Sequence, residues 1–365
     1  MTKVNINRRY FSEGETKILE NGTLQVYTFI YPTGVEGVKV KNSRGYFVAL
    51  PYLGQQIWEA EFDGHILQME SLIKVPRKKT HFVENYGCLL MHCGFTAMGV
   101  PQSDDNHPQH GELPLAEYEE LWLGSGEDEK GKFVEVSGRY NYTKFFGANY
   151  NFVPTYRLYE DDTIIYLNVK ATNMRSNPMD YMYLAHINYR PFENSKLIYS
   201  AKRDKEHIKV FKNIPDNLTP EEKQKLSDYM DAVEENPAIM DDVFAKGQYY
   251  SPEIVFAVDY EADEEGRAYS LQCLEDGYAT YVCHPKDKLP VGVRWMGYTD
   301  DEKAVGMVLP ATADHMGFCN AKRNGMIKVL GPGEMFECDI EFGLTSPEKT
   351  EKIIAKIERI LTDAK

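Results

Sequence analysis

Three separated segments carry the side chains best suited to moving protons. Asp104-Asp105-Asn106-His107-Pro108-Gln109-His110-Gly111-Glu112 holds two histidines, Tyr183-Leu184-Ala185-His186-Ile187-Asn188-Tyr189 holds a third, and Pro332-Gly333-Glu334 ends in a carboxylate. Imidazole donates or accepts near neutral pH, and a carboxylate in a partly desolvated cleft is a base. His110, His186 and Glu334 together therefore suit reactions that only transfer protons on a polar substrate, with no metal or cofactor required. The competing account is structural: a lone strand histidine is usually hydrogen-bonded in place, and Pro-Gly-Glu is a common turn. His110 is preferred to His107 because Gly111 beside it lets backbone approach a ligand closely. His107 is assigned a supporting role, with His92 and His315 weaker candidates.

Such residues need a rigid frame, and the frame reads as β. Gly45–Leu50, Gln56–Phe62, Thr163–Val169 and Ile254–Val258 are β-branched or aromatic runs, several alternating with period two, bounded by turn residues. Asp63-Gly64 between two such runs predicts a tight hairpin. Thr219-Pro220-Glu221-Glu222 supplies an N-cap, a first-turn proline and a third-position carboxylate, so a polar helical insertion is expected over about 218–235. Its charged face reads as solvated. After Ser346-Pro347, the stripe Ile353, Ile354, Ile357, Ile360 and Leu361 predicts a helix over about 347–361 that docks on a sheet. With no repeat or long linker, the expected architecture is mainly β: one large antiparallel β-sandwich domain spanning 1–365 with a few peripheral helices.

Composition narrows the partners. Lys and Arg total 41 against 56 Asp and Glu, a formal charge of -15, and the densest basic run is Arg77-Lys78-Lys79, so nucleic acid is not expected. No apolar run approaches membrane-spanning length and the N-terminus lacks a signal-peptide pattern, so neither a membrane nor a secretory route is expected. The six cysteines, Cys88, Cys93, Cys273, Cys283, Cys319 and Cys338, lie in apolar contexts without framework spacing, which points to a reducing cytoplasm. Cys93 with His92 lacks any zinc-site spacing. The 25 tyrosines offer rings and hydroxyls suited to flat polar ligands.

The order of motifs resembles the aldose 1-epimerase family, the galactose mutarotase-like proteins, as a divergent branch. The likeness rests on His110-Gly111 in the first third, His186 on a strand after Asn177-Pro178, and Leu330-Gly331-Pro332-Gly333-Glu334-Met335-Phe336 followed by a strand; Gly45 to Gly64 is similar to the family's opening strands. The resemblance implies a small-molecule aldose as partner and interconversion of its α and β anomers. Glu334 is then the base at the anomeric hydroxyl, His186 the acid at the ring oxygen and His110 a polarising group. This chain departs from the family pattern at Glu112, where a second glycine is usual, and at Ala185-His186-Ile187-Asn188-Tyr189. Arg77 or Arg190 stands in for the family's arginine, and Glu253 lies nearest in order to its sugar-binding acidic residue. Asn188, Glu112 and Trp295 complete the expected sugar contacts, and Trp58, Tyr156 and Tyr189 are further stacking candidates. Two readings compete: a metal-dependent sugar isomerase using His92, His107 and His110 with Glu112 or Glu334, and a carbohydrate-binding sandwich without turnover. A two-carboxylate glycosidase would leave the histidines without a role.

Overall fold

Alternating side chains give strands two faces, and in this protein both faces are used. The computed structural model describes residues 1–363 and contains two large antiparallel sheets, one of nine strands and one of thirteen. The nine-stranded sheet runs, by residue, 2–6, 120–128, 131–143, 149–159, 164–173, 335–345, 279–285, 267–273 and 196–199. The thirteen-stranded sheet orders its main path as 208–211, 253–258, 291–298, 303–311, 179–187, 90–95, 57–62, 45–49, 36–41, 24–30 and 16–21. The architecture is a large antiparallel β-sandwich.

Three apolar clusters follow from the alternation. Between the sheets lies the main core, including Val38, Phe47, Phe152, Tyr183, Ala185, Ile187, Phe256 and Phe342. On the outer face of the thirteen-stranded sheet, Trp58, Met91, Cys93, Leu184, Val293 and Leu309 form a second core. A third lies under the C-terminal helix. Each fully buried Leu, Val or Phe contributes roughly 1.5–3 kcal/mol relative to exposure, so the second core is a substantial anchor for the loops packed against it.

The expected local structures form. Phe62 pairs with His65 across Asp63-Gly64, both of which adopt positive φ. Helix α1, Pro220–Glu235, begins with a capping box between Thr219 and Glu222. Helix α2, Gly317–Arg323, has no counterpart in the sequence reading. Helix α3, Pro347–Asp363, buries Ile353, Ile357 and Ile360 against Tyr269, Leu271 and Tyr281 of the nine-stranded sheet. Among the described residues, no helix is long and apolar enough to cross a membrane.

Candidate active site

Four neighbouring strands of the thirteen-stranded sheet supply the floor of a cavity of about 180 Å³. Residues two apart on a strand share a face, so Leu184 with His186, Glu253 with Val255, and Val293 with Trp295 all reach the outer surface, beside Leu309. The walls are loops: Phe82 and Tyr86 from one side, His110 from the 96–112 segment, and His315 just beyond the 303–311 strand.

His186 is held by its own strand end. Its Nδ1 lies 2.6 Å from Asn188 Oδ1, which also accepts from the Tyr86 hydroxyl at 3.1 Å. The Asn188 amide is oriented by donation from its Nδ2 to Cys88 O at 3.2 Å. An amide oxygen only accepts, so the His186 proton belongs on Nδ1 and Nε2 presents a lone pair. Burial pulls the His186 pKa down to about 4, partly opposed by the bond to Asn188, so the ring is neutral at neutral pH. Burial likewise pushes the Tyr86 phenol well above its ordinary range. The His186 ring stands edge-on to Trp295 and to Tyr86, at centroid separations of 5.6 and 5.7 Å.

His110 sits in the left-handed region at φ 62°, an uncommon conformation for a residue with a Cβ and a frequent mark of a functional position. Its ring lies 5.1 Å from that of His186, perpendicular to it, and 5.0 Å from Phe82. Burial, reinforced by His186, His315 and His107, holds it neutral. Gly111 does not serve ligand approach as the sequence reading supposed. A Cβ there would lie 2.1 Å from Ala97 O and 2.3 Å from Gly94 O, so the glycine permits close backbone packing under the loop.

His315 is braced to the same loop. Its carbonyl accepts from Val100 N at 2.6 Å, and His110 N donates to Gly99 O at 2.8 Å. Asp105 accepts from Gln102 N and from Cys319 N in α2, both at 2.9 Å, and Arg323 pairs with Asp104. The acidic start of the first motif is thus a clamp on α2. Burial lowers the His315 pKa to about 4. Trp295 Nε1 donates to Glu253 Oε2 at 2.6 Å, fixing a carboxylate at the cavity.

Of the residues expected from sequence, the structure brings together His110, His186, Glu253 and Trp295, with Asn188 behind His186. It does not bring Glu334. That side chain is exposed in the Gly331–Glu334 turn, where Oε2 accepts from Gly331 N at 2.5 Å. The adjacent Leu330 pairs with Met179, and His186 lies seven residues further along that strand. At ~3.3 Å per residue this is roughly 23 Å. Glu334 therefore leaves the proton-transfer set. Glu112 accepts from Phe95 N, Thr96 N, the Thr96 hydroxyl and the Tyr150 hydroxyl, all within 3.0 Å, and is committed to holding its loop. Arg190 is paired with Glu70 at 2.8 Å, and Arg77 is an exposed residue whose backbone N donates to Asn85. Neither arginine lines the cavity.

The ligand set suggested for a metal-dependent isomerase also separates. His92 points into the inter-sheet core, where its nitrogens meet the Tyr183 and Tyr156 hydroxyls at 2.8 Å each, and His107 Nε2 accepts from Phe318 N at 3.4 Å. Among the described residues, no group of three or more His, Cys, Asp or Glu side chains has an arrangement that could hold a metal ion. Trp58, Tyr156 and Tyr189 are core residues.

Residues 32–344 match the family model described as a domain of unknown function, DUF4432. The chain belongs to the DUF4432 family. Solved structures similar to this DUF4432 chain are aldose 1-epimerase-like and galactose mutarotase-like proteins. A candidate aldose 1-epimerase from Klebsiella pneumoniae subsp. pneumoniae superposes with a TM-score of 0.78 at 15% identity, over 96% of this chain and 93% of that one. A galactose mutarotase-like protein from Clostridium acetobutylicum gives 0.57 at 14% identity, covering 89% and 100%. The GalM/aldose epimerase homologue from C. elegans gives 0.52 at 12% identity, covering 85% and 98%. At these identities the likeness establishes the fold. No curated protein matches the sequence.

Proposed function

We propose that this DUF4432 chain is an aldose 1-epimerase-like isomerase that interconverts the α and β anomers of a free monosaccharide, with His186 as its proton carrier and Glu253 as the carboxylate that supports the charged ring. The observation that carries this reading is the convergence of His110, His186 and Glu253 on one cavity of a mutarotase-like sandwich. Anomerisation moves one proton from the anomeric hydroxyl to the ring oxygen, opens the ring, and reverses both steps after rotation of the aldehyde. A lone pair on His186 Nε2 accepts the first proton and, as imidazolium, returns it to the ring oxygen. His186 thus acts first as base, because its Nδ1 proton is already committed to Asn188. The Glu253 carboxylate beside Trp295 offsets the positive charge that forms on the imidazole. His110 polarises the sugar oxygen.

Each such group contributes about two to four orders of magnitude in rate, sufficient for a reaction that already proceeds slowly in water. Exchange NMR across free aldoses tests the proposal. Wild type should accelerate anomerisation of at least one sugar, and Glu253→Gln should lower that acceleration by about 10²-fold or more with a near-native unfolding midpoint. Full activity of Glu253→Gln would remove the carboxylate from the mechanism.

A further inference from the structure

Three imidazoles surround the cavity, and their hydrogen bonds divide them into two kinds. His186 has a committed Nδ1, and its Nε2 meets only the Tyr86 hydroxyl, 3.5 Å away, whose proton goes to Asn188 Oδ1 at 3.1 Å, so the Nε2 lone pair is open. His110 and His315 are the reverse case. In each, Nδ1 is buried with no hydrogen-bond partner, while the residue keeps 8% exposure and lines the cavity. The nearby Asp314 is no partner for His315, since its carboxylate accepts from Met316 N at 3.0 Å and from Asn320 Nδ2 at 3.1 Å. The other flank of the His315 ring meets Phe211 edge-on at 4.6 Å. Nε2 is therefore the nitrogen that opens on the cavity in both residues.

A buried N–H without an acceptor is rarer than an under-used lone pair. The proton of each neutral ring accordingly belongs on Nε2, where solvent or ligand can receive it, and the unfilled site at Nδ1 is a lone pair. The cavity then offers one imidazole acceptor and two imidazole donors. Their positions are linked, because Val100 N donates to His315 O at 2.6 Å and Gly99 O accepts from His110 N at 2.8 Å.

We propose that His315 is a catalytic residue of this site, a second neutral N–H donor that acts with His110 on the oxygen that becomes the open-chain carbonyl. This rests on the mutarotase-like reading of the cavity. Donors that stay neutral stabilise charge developing on an oxygen without having to lose a proton. On ring opening they steady the anomeric oxygen, while His186 carries the proton to the ring oxygen; no atom is gained or lost beyond that transfer.

Two measurements test the inference. Long-range ¹H–¹⁵N correlation spectra of the labelled full-length protein at pH 7 read each tautomer directly. We expect Nε2–H for His110 and His315 and Nδ1–H for His186; an Nδ1–H or doubly protonated His315 overturns the proposal whatever the enzyme acts on. In the second, His315→Leu and His315→Gln are compared on the sugar that wild type turns over best among D-glucose, D-galactose and their 6-deoxy counterparts. His315→Leu should lower kcat by about 10²-fold with KM little changed, and His315→Gln, which restores an N–H donor, should recover most of it. A His315→Leu variant with wild-type kcat, or a folded His315→Gln no better than His315→Leu, overturns the role. Wild type inert toward every sugar overturns the isomerase reading, and with it the role on a carbonyl oxygen, while leaving the tautomer assignment standing.

Discussion

His92 and His186 lie on paired strands, one residue out of register: His92 faces Ala185, and His186 faces Met91. Both are buried and both are held neutral by burial, His92 at a pKa of about 3 and His186 at about 4. The difference is in what their nitrogens have left to do. His92 accepts from the Tyr183 hydroxyl and donates to Tyr156, whose own hydroxyl goes on to Gln55 O at 2.6 Å, so its hydrogen-bonding capacity is used up. His186 has committed only Nδ1, because the Tyr86 hydroxyl 3.5 Å from Nε2 gives its proton to Asn188. A depressed pKa is common to a core histidine and a working one; an unspent lone pair over a cavity separates them.

Substitution should separate the two most sharply. His186→Asn is expected to slow anomerisation by about 10²- to 10⁴-fold while the urea midpoint changes little, measured by exchange NMR and equilibrium unfolding. His92→Leu should do the opposite. It strands the buried Tyr183 hydroxyl, while Tyr156 keeps its bond to Gln55 O, and is expected to cost about 1–3 kcal/mol of stability, with the activity of the folded fraction unchanged. Equal loss of activity in both variants would erase the distinction.

The next test is pH. His186 and His315 have folded pKa values near 4, below the ordinary histidine value of 6.5. The unfolded chain therefore binds more protons between these values. Their contribution to stability is fully present above pH 6.5 and is lost as pH falls toward 4. The same shift predicts a kcat/KM profile that is flat through 6.5 and turns down nearer 4. An acid limb at 6.5 would show that one of these rings is as exposed to water as a free histidine. The smallest effect is expected at Glu334. Glu334→Gln should leave the rate within about twofold and stability within about 0.5 kcal/mol, as for an exposed residue away from any buried feature.

The contrast between Glu253 and Glu334 also marks the limit of the sequence. Local signals were legible where the structure depends on neighbours in the chain: the Asp63-Gly64 hairpin, the Thr219/Glu222 capping box, the Ile353, Ile357 and Ile360 stripe, and the strand runs. His110 and His186 were legible as residue types in ordered motifs. Which glutamate joins them depends on strand order and on which face of the sheet each presents, and those follow from pairing between strands such as 253–258 and 291–298. His315 follows a strand with no motif around it. Helix α2 was illegible because its N-terminal partner, Asp105, lies 214 residues from Cys319 in the chain.

The clamp that joins the 99–105 segment to residues 315–323 has a consequence for how the cavity can change over time. Its two histidine-bearing walls form a single mechanical unit: a Cβ on Gly99 would lie 2.2 Å from His315 O, so even the smallest side chain there pushes on the opposite wall. Variation in ligand shape is then most readily accepted on the Phe82 and Tyr86 side, where Val83 is exposed and the short 82–85 turn lacks a side-chain cap. Divergence among relatives, or a designer seeking a larger substrate, has one adjustable wall and one that must be rebuilt whole.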